Sequence, residues 1–184
     1  VEFGEAGMER IVSNFDGINF LIVAKTAYNP EKIEVDYADI LSGRKALYFS
    51  AHYPIYALFI AGFDTFLSGP NSILATIIVS NILLAITLYW FFQWYFQDEK
   101  LAAWGAIIAL FFPARMLAVR GVGSNELLFI FFVIASLLLH NKRNRWGAAI
   151  MGSLAVLTRS PGIILFLAYF LQYALLDLRL TKKI

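Results

Sequence analysis

The chain has 184 residues, of which 60% are hydrophobic and 15% are charged, and its formal net charge at pH 7 is +2. Soluble domains average about 45–50% apolar and about 25% charged residues, so a soluble protein of this size could not bury this much apolar surface. The composition predicts an all-α, polytopic integral membrane protein and excludes a disordered chain, a nucleic-acid-binding domain and, because there are no cysteines, a disulfide scaffold.

The N-terminal region, residues 1–46, holds most of the acidic side chains and no apolar run long enough to cross a bilayer. Within it, Ser13 or Asn14 is suited to cap a helix. An apolar stripe follows, made of Phe15, Ile18, Leu21, Ile22 and Ala24. The pattern predicts a short amphipathic, juxtamembrane helix that lies on the membrane surface, with Asp16 in or near its first turn. Since the first residue is Val rather than Met, we expect the chain to be either truncated or processed at its N-terminus.

The acidic side chains of this region allow more than one interpretation. Asp16 either caps the helix, where the helix dipole favours a negative charge, or serves as a catalytic base held where lipid meets water. Four further carboxylates are expected to form a solvated loop: Glu31, Glu34, Asp36 and Asp39. Their spacing fits no Ca²⁺-binding loop, and the sequence holds no zinc-ligand spacing or Gly-rich phosphate loop. We therefore expect no metal and no cofactor.

From residue 47 onward the chain reads as a transmembrane region, 47–184, with about four to six membrane segments. The clearest span is 71–96, which ends in a run of aromatic residues typical of the membrane–water interface. Less regular candidates are 47–67, 101–119, 126–140 and 146–176, the last of which is broken at 158–162. Because these runs are continuous rather than alternating, they predict helices and not the strands of a barrel.

Basic residues suggest how the chain is oriented in the bilayer. They cluster in the loop at 140–146 and again at the C-terminus: Lys142, Arg143 and Arg145, then Arg179, Lys182 and Lys183. An excess of Lys and Arg marks the cytoplasmic side, which places the turns at 68–71 and 123–126 outside. The side on which residues 1–46 lie depends on whether 47–67 crosses fully or re-enters, and the charge rule leaves both possibilities open.

Charged and polar side chains that interrupt the apolar region are candidates to bind a substrate. They are Arg159, Glu126, Arg120, Arg115 and His52. An arginine in an apolar stretch is costly and marks function, and its guanidinium matches phosphate oxygens in a bidentate way. The alternatives are an interfacial or helix-capping role for the arginines, a helix-dipole role for Glu126 and a structural role for His52.

Four stretches, taken in order, resemble the PIG-V-type, GPI mannosyltransferase II-like family of membrane glycosyltransferases, which belongs to the GT-C class. The stretch 15–28 resembles its first-loop signature around Asp16, and 48–56 its aromatic-Pro run. The stretch 124–129, which follows Phe112-Pro113-Ala114, resembles its Glu-containing turn, and 157–162 its Leu-Thr-Arg-Ser-x-Gly segment. The chain departs from the pattern of this family in having Phe15 in place of the usual Trp and Asn19 in place of a frequent His. Family members are longer, so we expect both ends to be missing.

The resemblance implies a GT-C-like fold, with the Asp loop and the active site on the extracytoplasmic face of a multi-pass membrane protein. It implies inverting transfer of a hexose, with mannose as the first candidate, from a polyprenyl-phosphate donor to a hydroxyl of a glycolipid or glycan. Asp16 would be the base, and Arg159 the cation beside the leaving phosphate. Two other interpretations stay open, namely a transporter or channel subunit with Asp16, Glu126 and Arg159 on a polar path, and an inactive fragment.

Overall fold

A computed structural model of the chain describes residue 7, residues 14–41 and residues 43–181, with side chains described as far as residue 175. Across these ranges the chain is all-α, as the sequence predicts, and its extended pairing is limited to one isolated bridge between Phe15 and Gly123. The predictions for Ser13, Lys182 and Lys183, and that for the side chain of Arg179, fall outside this described part.

Ten α-helices and two short 3-10 helices have both ends within the described ranges. The α-helices, numbered in chain order, are α1 (Gly17–Thr26), α2 (Pro30–Asp36), α3 (Ala38–Leu41), α4 (Pro54–Asp64), α5 (Pro70–Phe96), α6 (Glu99–Phe111), α7 (Ala114–Val119), α8 (Glu126–Asn141), α9 (Arg145–Val156) and α10 (Ile163–Thr181). The 3-10 helices are Ala46–Ala51 and Ser160–Gly162. Proline occupies the first turn of α2, α4 and α5, where its missing N–H costs no hydrogen bond.

Helix α5 covers the stretch 71–96, which the sequence predicts as the clearest membrane span. It has 27 residues and a mean hydropathy of 2.1 in its most apolar window, and of the helices described it alone is long and apolar enough to cross a bilayer. Its C-terminal end exposes Trp90, Trp94 and Tyr95. The stretch predicted at 101–119 is divided at Phe112-Pro113 into α6 and α7, because the proline ring disfavours helical backbone at the residue before it.

Helix α1 is a core helix rather than the predicted amphipathic surface helix. It packs against α4, and Phe20, Ile22 and Val23 are each at most 2% exposed. The predicted stripe is therefore wrong in part, since Phe15 is 65% exposed. Helix α1 is buried within the fold because the run from Ile18 to Ala24 is apolar on nearly every side.

The acidic segment predicted as a solvated loop is helical. Asn29 caps α2 by accepting the backbone N–H of Lys32 at 3.1 Å, and α3 follows after a single residue. Ile33 and Leu41 face the core, while the four carboxylates of the segment stay exposed. The expectation of solvent exposure therefore holds for the side chains, and the expectation of a loop does not hold for the backbone.

The largest core cluster draws residues from both sides of the boundary predicted at residue 46. Phe20 and Ile33 from the N-terminal region pack in the same cluster as Tyr56 and Ile60 of α4 and Leu128 of α8. A second, smaller cluster joins α5, α6, α7 and the start of α8. The N-terminal helices are thus part of the helical assembly. They bring Asp16 to the end of the assembly at which α4 and α8 begin.

Candidate active site

Four turns of the chain meet at one end of the helices. The loop that precedes α1 is joined to the turn that precedes α8 by the parallel bridge between Phe15 and Gly123. The start of α4 is joined to the break after α9, where the N–H of Ile55 donates to the carbonyl oxygen of Leu157 at 3.2 Å. Each of the four stretches singled out in the sequence lies at or beside one of these turns, so residues far apart in the chain become neighbours.

Asp16 lies at this end of the helices, directly before α1, and its carboxylate makes no hydrogen bond to the backbone of that helix. It occupies the N-cap position of α1, yet its side chain accepts no backbone N–H there. Its Oδ1 instead accepts a hydrogen bond from Asn19 Nδ2 at 3.3 Å and lies 3.7 Å from His52 Nε2. With its side chain 56% exposed, Asp16 is open to solvent, and it does not cap the helix through its side chain.

The surroundings of Asp16 favour its ionised form. Contact with the His52 ring holds the pKa of the Asp16 carboxyl below its usual range, and Asn19 and the positive charge of Arg159 act in the same direction, whereas partial burial opposes them. Hydrogen bonds and opposite charges stabilise a carboxylate because they replace the water it loses on burial. Asp16 is therefore a carboxylate at neutral pH, with its lone pairs available in the cleft.

His52 is held rigidly beside Asp16. Its side chain is only 7% exposed, and its ring meets the rings of Phe20 and Tyr48 edge-on, at centroid distances of 5.1 and 5.4 Å. The Tyr28 hydroxyl donates to the His52 carbonyl oxygen. Nδ1 is buried and has no hydrogen-bond partner among the described residues, so in the neutral ring the proton belongs on Nε2, which points toward the Asp16 carboxylate.

Arg159 and Glu126 form the second charged element of the site. Arg159 Nη1 lies 2.7 Å from Glu126 Oε1, and Arg115 donates to both carboxylate oxygens of Glu126, with Nε 3.2 Å from Oε2. The Arg159 backbone is extended and follows the end of α9, and the amide of Asn125 donates to the Thr158 carbonyl oxygen at 2.8 Å. Glu126 thus fixes Arg159, whose side chain stays 34% exposed.

Asp16, His52 and Arg159 line one open cleft of about 380 Å³. Glu126, which the sequence suggested as a substrate-binding residue, is not part of its wall and reaches the cleft only through Arg159. The walls of the cleft are formed by Asp16, Phe20, Tyr48, Ala51, His52, Tyr53, Asn125, Arg159, Ser160 and Pro161. A carboxylate and a guanidinium therefore face the same space, beside the aromatic rings of Phe20, Tyr48 and Tyr53. Such a cleft is suited to a ligand that carries a hydroxyl, an anionic group and an apolar ring face.

Arg120 lies apart from this cleft, although the sequence suggested it as a substrate-binding residue. Its Nε donates to Asn81 Oδ1 at 2.8 Å and its Nη1 to the Leu110 carbonyl oxygen at 3.3 Å, and the guanidinium covers the ring of Phe111. Asn81 returns a hydrogen bond to the Arg120 carbonyl oxygen at 3.1 Å. An arginine among apolar helices needs such partners, and here they tie α7 to α5. Arg115 reaches the site only through Glu126.

Sequence reasoning missed several side chains of the site. Asn19, which is 4% exposed, supports Asp16, and Asn125 fastens the backbone beside Arg159. Phe20 and Tyr48 enclose His52. A signal was present for Asn19, because an amide inside an apolar helical run requires a polar partner, but the sequence does not show which partner it finds.

Comparison of the chain with models of protein families, with curated proteins and with solved structures found no match. The residues of the cleft therefore carry the functional interpretation.

Proposed function

We propose that this chain is the catalytic part of a multi-pass membrane glycosyltransferase. Its reaction transfers a hexose, with mannose as the first candidate, from a polyprenyl-phosphate carrier to a hydroxyl of a glycolipid or glycan. The observation that carries the proposal is the meeting of Asp16 and Arg159 in one cleft. The reaction requires one group to accept a proton and one to bind a phosphate, and this cleft supplies both.

The transfer is a direct displacement at the anomeric carbon. The acceptor hydroxyl oxygen forms a bond to that carbon while the bond from the carbon to the carrier phosphate oxygen breaks, which inverts the configuration. The hydroxyl proton passes to Asp16, and the phosphate leaves with the bonding electron pair. A carboxylate with a lowered pKa is a weak base, so it takes the proton late, after the new bond has made the hydroxyl strongly acidic.

Arg159 stabilises the charge that develops on the leaving phosphate. A guanidinium presents parallel N–H donors that match two phosphate oxygens, and Arg159 lines the cleft with its side chain 34% exposed. Holding this cation in place before the reaction is what makes it effective, because no reorganisation is needed as charge appears. The Glu126 carboxylate and the extended backbone after α9 supply that fixed position.

The apolar surface of the helices fits a protein that lies in a bilayer. Large apolar side chains are exposed along much of the described surface, including Ile78, Ile82 and Ile86 on α5 and Phe170 on α10. A soluble monomer rarely exposes so continuous an apolar patch. We therefore place several of the helices in the membrane, with the cleft at the extracytoplasmic interface, where the headgroup of a lipid-linked donor would reach it.

The experiment that tests the proposal is sugar transfer by the reconstituted full-length protein. Polyprenyl-phosphate hexose carrying a radiolabelled sugar is the donor, and a glycolipid fraction is the acceptor. Asp16→Asn is expected to lower the turnover number by about 10²–10⁴-fold, the usual contribution of a general base. Arg159→Gln is expected to lower turnover as well, whereas Arg159→Lys retains part of it because the charge remains without the bidentate fork.

Asp39→Asn is the matched control for Asp16→Asn, since Asp39 is an exposed carboxylate on α3, outside the cleft. It is expected to transfer sugar at the wild-type rate. Wild-type turnover in Asp16→Asn would reject the base assignment. If no variant and no wild-type preparation transfers sugar, but the protein mediates solute flux across vesicles, the chain is a transporter component and the proposal is wrong.

A further inference from the structure

Basic and aromatic side chains meet at the end of the helices opposite the cleft. Helix α8 ends at Asn141, and α9 begins at Arg145 after a tight turn. Arg143 has a left-handed backbone in this turn, with φ of 59°, which lets the chain reverse within a few residues. As a result, Lys142 and Arg145 leave the turn toward different neighbouring helices.

On one side, Lys142 faces α5. Its Nζ lies 5.3 Å from the centre of the Trp90 ring, a distance at which a cation is attracted to the face of an indole. Lys142 and Trp90 also line a cavity of about 210 Å³ between α5 and α8, whose other walls include Ile86 and Leu139. A positive charge therefore stands at the rim of an apolar recess.

On the other side, Arg145 faces α10 in the same manner. Its guanidinium carbon lies 5.5 Å from the centre of the Tyr173 ring. Arg145 and Tyr173 line a cavity of about 380 Å³, together with His140 and Phe166. The same combination of a basic side chain, an aromatic ring and an apolar recess thus occurs twice, once on each side of the α8–α9 turn.

Exposed aromatic residues surround this turn. Trp146, next to Arg145, is 84% exposed, and Trp94 and Tyr95 at the end of α5 are 47% and 68% exposed. Tryptophan and tyrosine at such positions are typical of the headgroup layer, where one part of the ring meets lipid and the polar tip meets water. The turn therefore lies at the depth of phospholipid headgroups, given the membrane placement proposed above.

From this geometry we infer that the α8–α9 turn is a binding site for anionic phospholipids. Each headgroup phosphate pairs with Lys142 or Arg145, and the acyl chains that follow it occupy the adjoining apolar recess. Basic side chains between membrane helices bind anionic headgroups by this combination of charge and apolar contact. The acidic Asp98 at the same end is engaged as the cap of α6, where it accepts the N–H of Leu101 at 2.9 Å. The inference needs the membrane placement and does not need sugar transfer.

Native mass spectrometry of the full-length protein released from mixed micelles measures this binding. Dioleoyl phosphatidylglycerol is the anionic probe, and dioleoyl phosphatidylcholine has the same acyl chains without the net charge. Wild-type protein is expected to retain phosphatidylglycerol in preference to phosphatidylcholine. The Lys142→Gln/Arg145→Gln double variant is expected to bind phosphatidylglycerol about 25-fold more weakly, at about five-fold for each basic side chain.

Arg44→Gln is the matched control, because Arg44 lies over the ring of Tyr48 at 4.9 Å but belongs to the other end of the molecule. It is expected to bind phosphatidylglycerol like wild type, as is Lys142→Arg/Arg145→Lys, which keeps both charges and reports on folding. Equal retention of both lipids by wild type would overturn the inference, and so would an equal loss in Arg44→Gln. Displacement of the lipid by soluble glycerol 3-phosphate at equal concentration would overturn the role of the apolar recesses.

Discussion

Replacement of Glu126 by glutamine tests whether the ion pairs at the cleft hold its walls together. The variant keeps the shape of the side chain and removes one negative charge. Glu126 is 14% exposed, and it lies 2.7 Å from Arg159 Nη1 and accepts hydrogen bonds from Arg115. After the change, two guanidinium groups face a neutral amide that offers a single acceptor oxygen, so both lose a charged partner.

The size of the effect follows from the exposure of the partners. Removing one member of a fully buried ion pair costs about 3–5 kcal/mol, whereas an exposed pair contributes about 0–1 kcal/mol. Arg159 is 34% exposed, between these cases, so solvent relieves part of the penalty. We expect Glu126→Gln to lower the free energy of unfolding by about 1–2 kcal/mol. Arg115 is 70% exposed, and we expect Arg115→Gln to leave the stability unchanged within error.

Denaturant titration in mixed micelles measures both variants, with far-ultraviolet circular dichroism as the signal. A double-mutant cycle with Arg159→Gln isolates the coupling between Glu126 and Arg159 from other effects of each change. The reasoning is refuted if the free energy of unfolding of Glu126→Gln lies within about 0.5 kcal/mol of the wild-type value. It is also refuted if Arg115→Gln destabilises the protein as much as Glu126→Gln does, because burial would then not decide the energy.

Two further predictions concern the backbone near the cleft and the titration of its carboxylate. Gly162→Ala is expected to destabilise the fold by about 1–3 kcal/mol, because a Cβ at Gly162 would lie 2.6 Å from the backbone nitrogen of Val156. Gly62→Ala is its control, since a Cβ there meets nothing within 4 Å, and it is expected to be neutral or stabilising by up to about 1 kcal/mol in the same titration. The pKa of Asp16 is lowered on folding, chiefly by His52, so its stabilising contribution is complete above the unfolded pKa of about 3.9 and is lost as the pH falls through the lower folded value. As the pH falls below about 3.9, the denaturant midpoint of unfolding should therefore drop less for Asp16→Asn than for wild type. An equal drop in the two proteins would show that the contacts of Asp16 do not stabilise the fold.

Several local features of the chain could be predicted from the sequence, although the helices of the acidic segment were not among them. Helix α5 begins one residue before the predicted span, and α8 begins at the predicted Glu126 and extends one residue past its predicted end. The break at 158–162 was predicted as well, and a short 3-10 helix at Ser160–Gly162 follows the end of α9 there. Each of these depends on the length of an apolar run or on a nearby proline or glycine, which the sequence displays directly.

The tertiary structure decided the partners of the polar side chains. It placed His52 beside Asp16 and joined Glu126 to Arg159. It also paired Arg120 with Asn81, 39 positions away, and so separated Arg120 from the cleft. These contacts follow from the way helices pack, and a packed face depends on its neighbours as much as on its own pattern. The burial of α1 has the same cause, because an apolar helix can lie on a membrane or inside a bundle, and only the fit against α4 distinguishes the two.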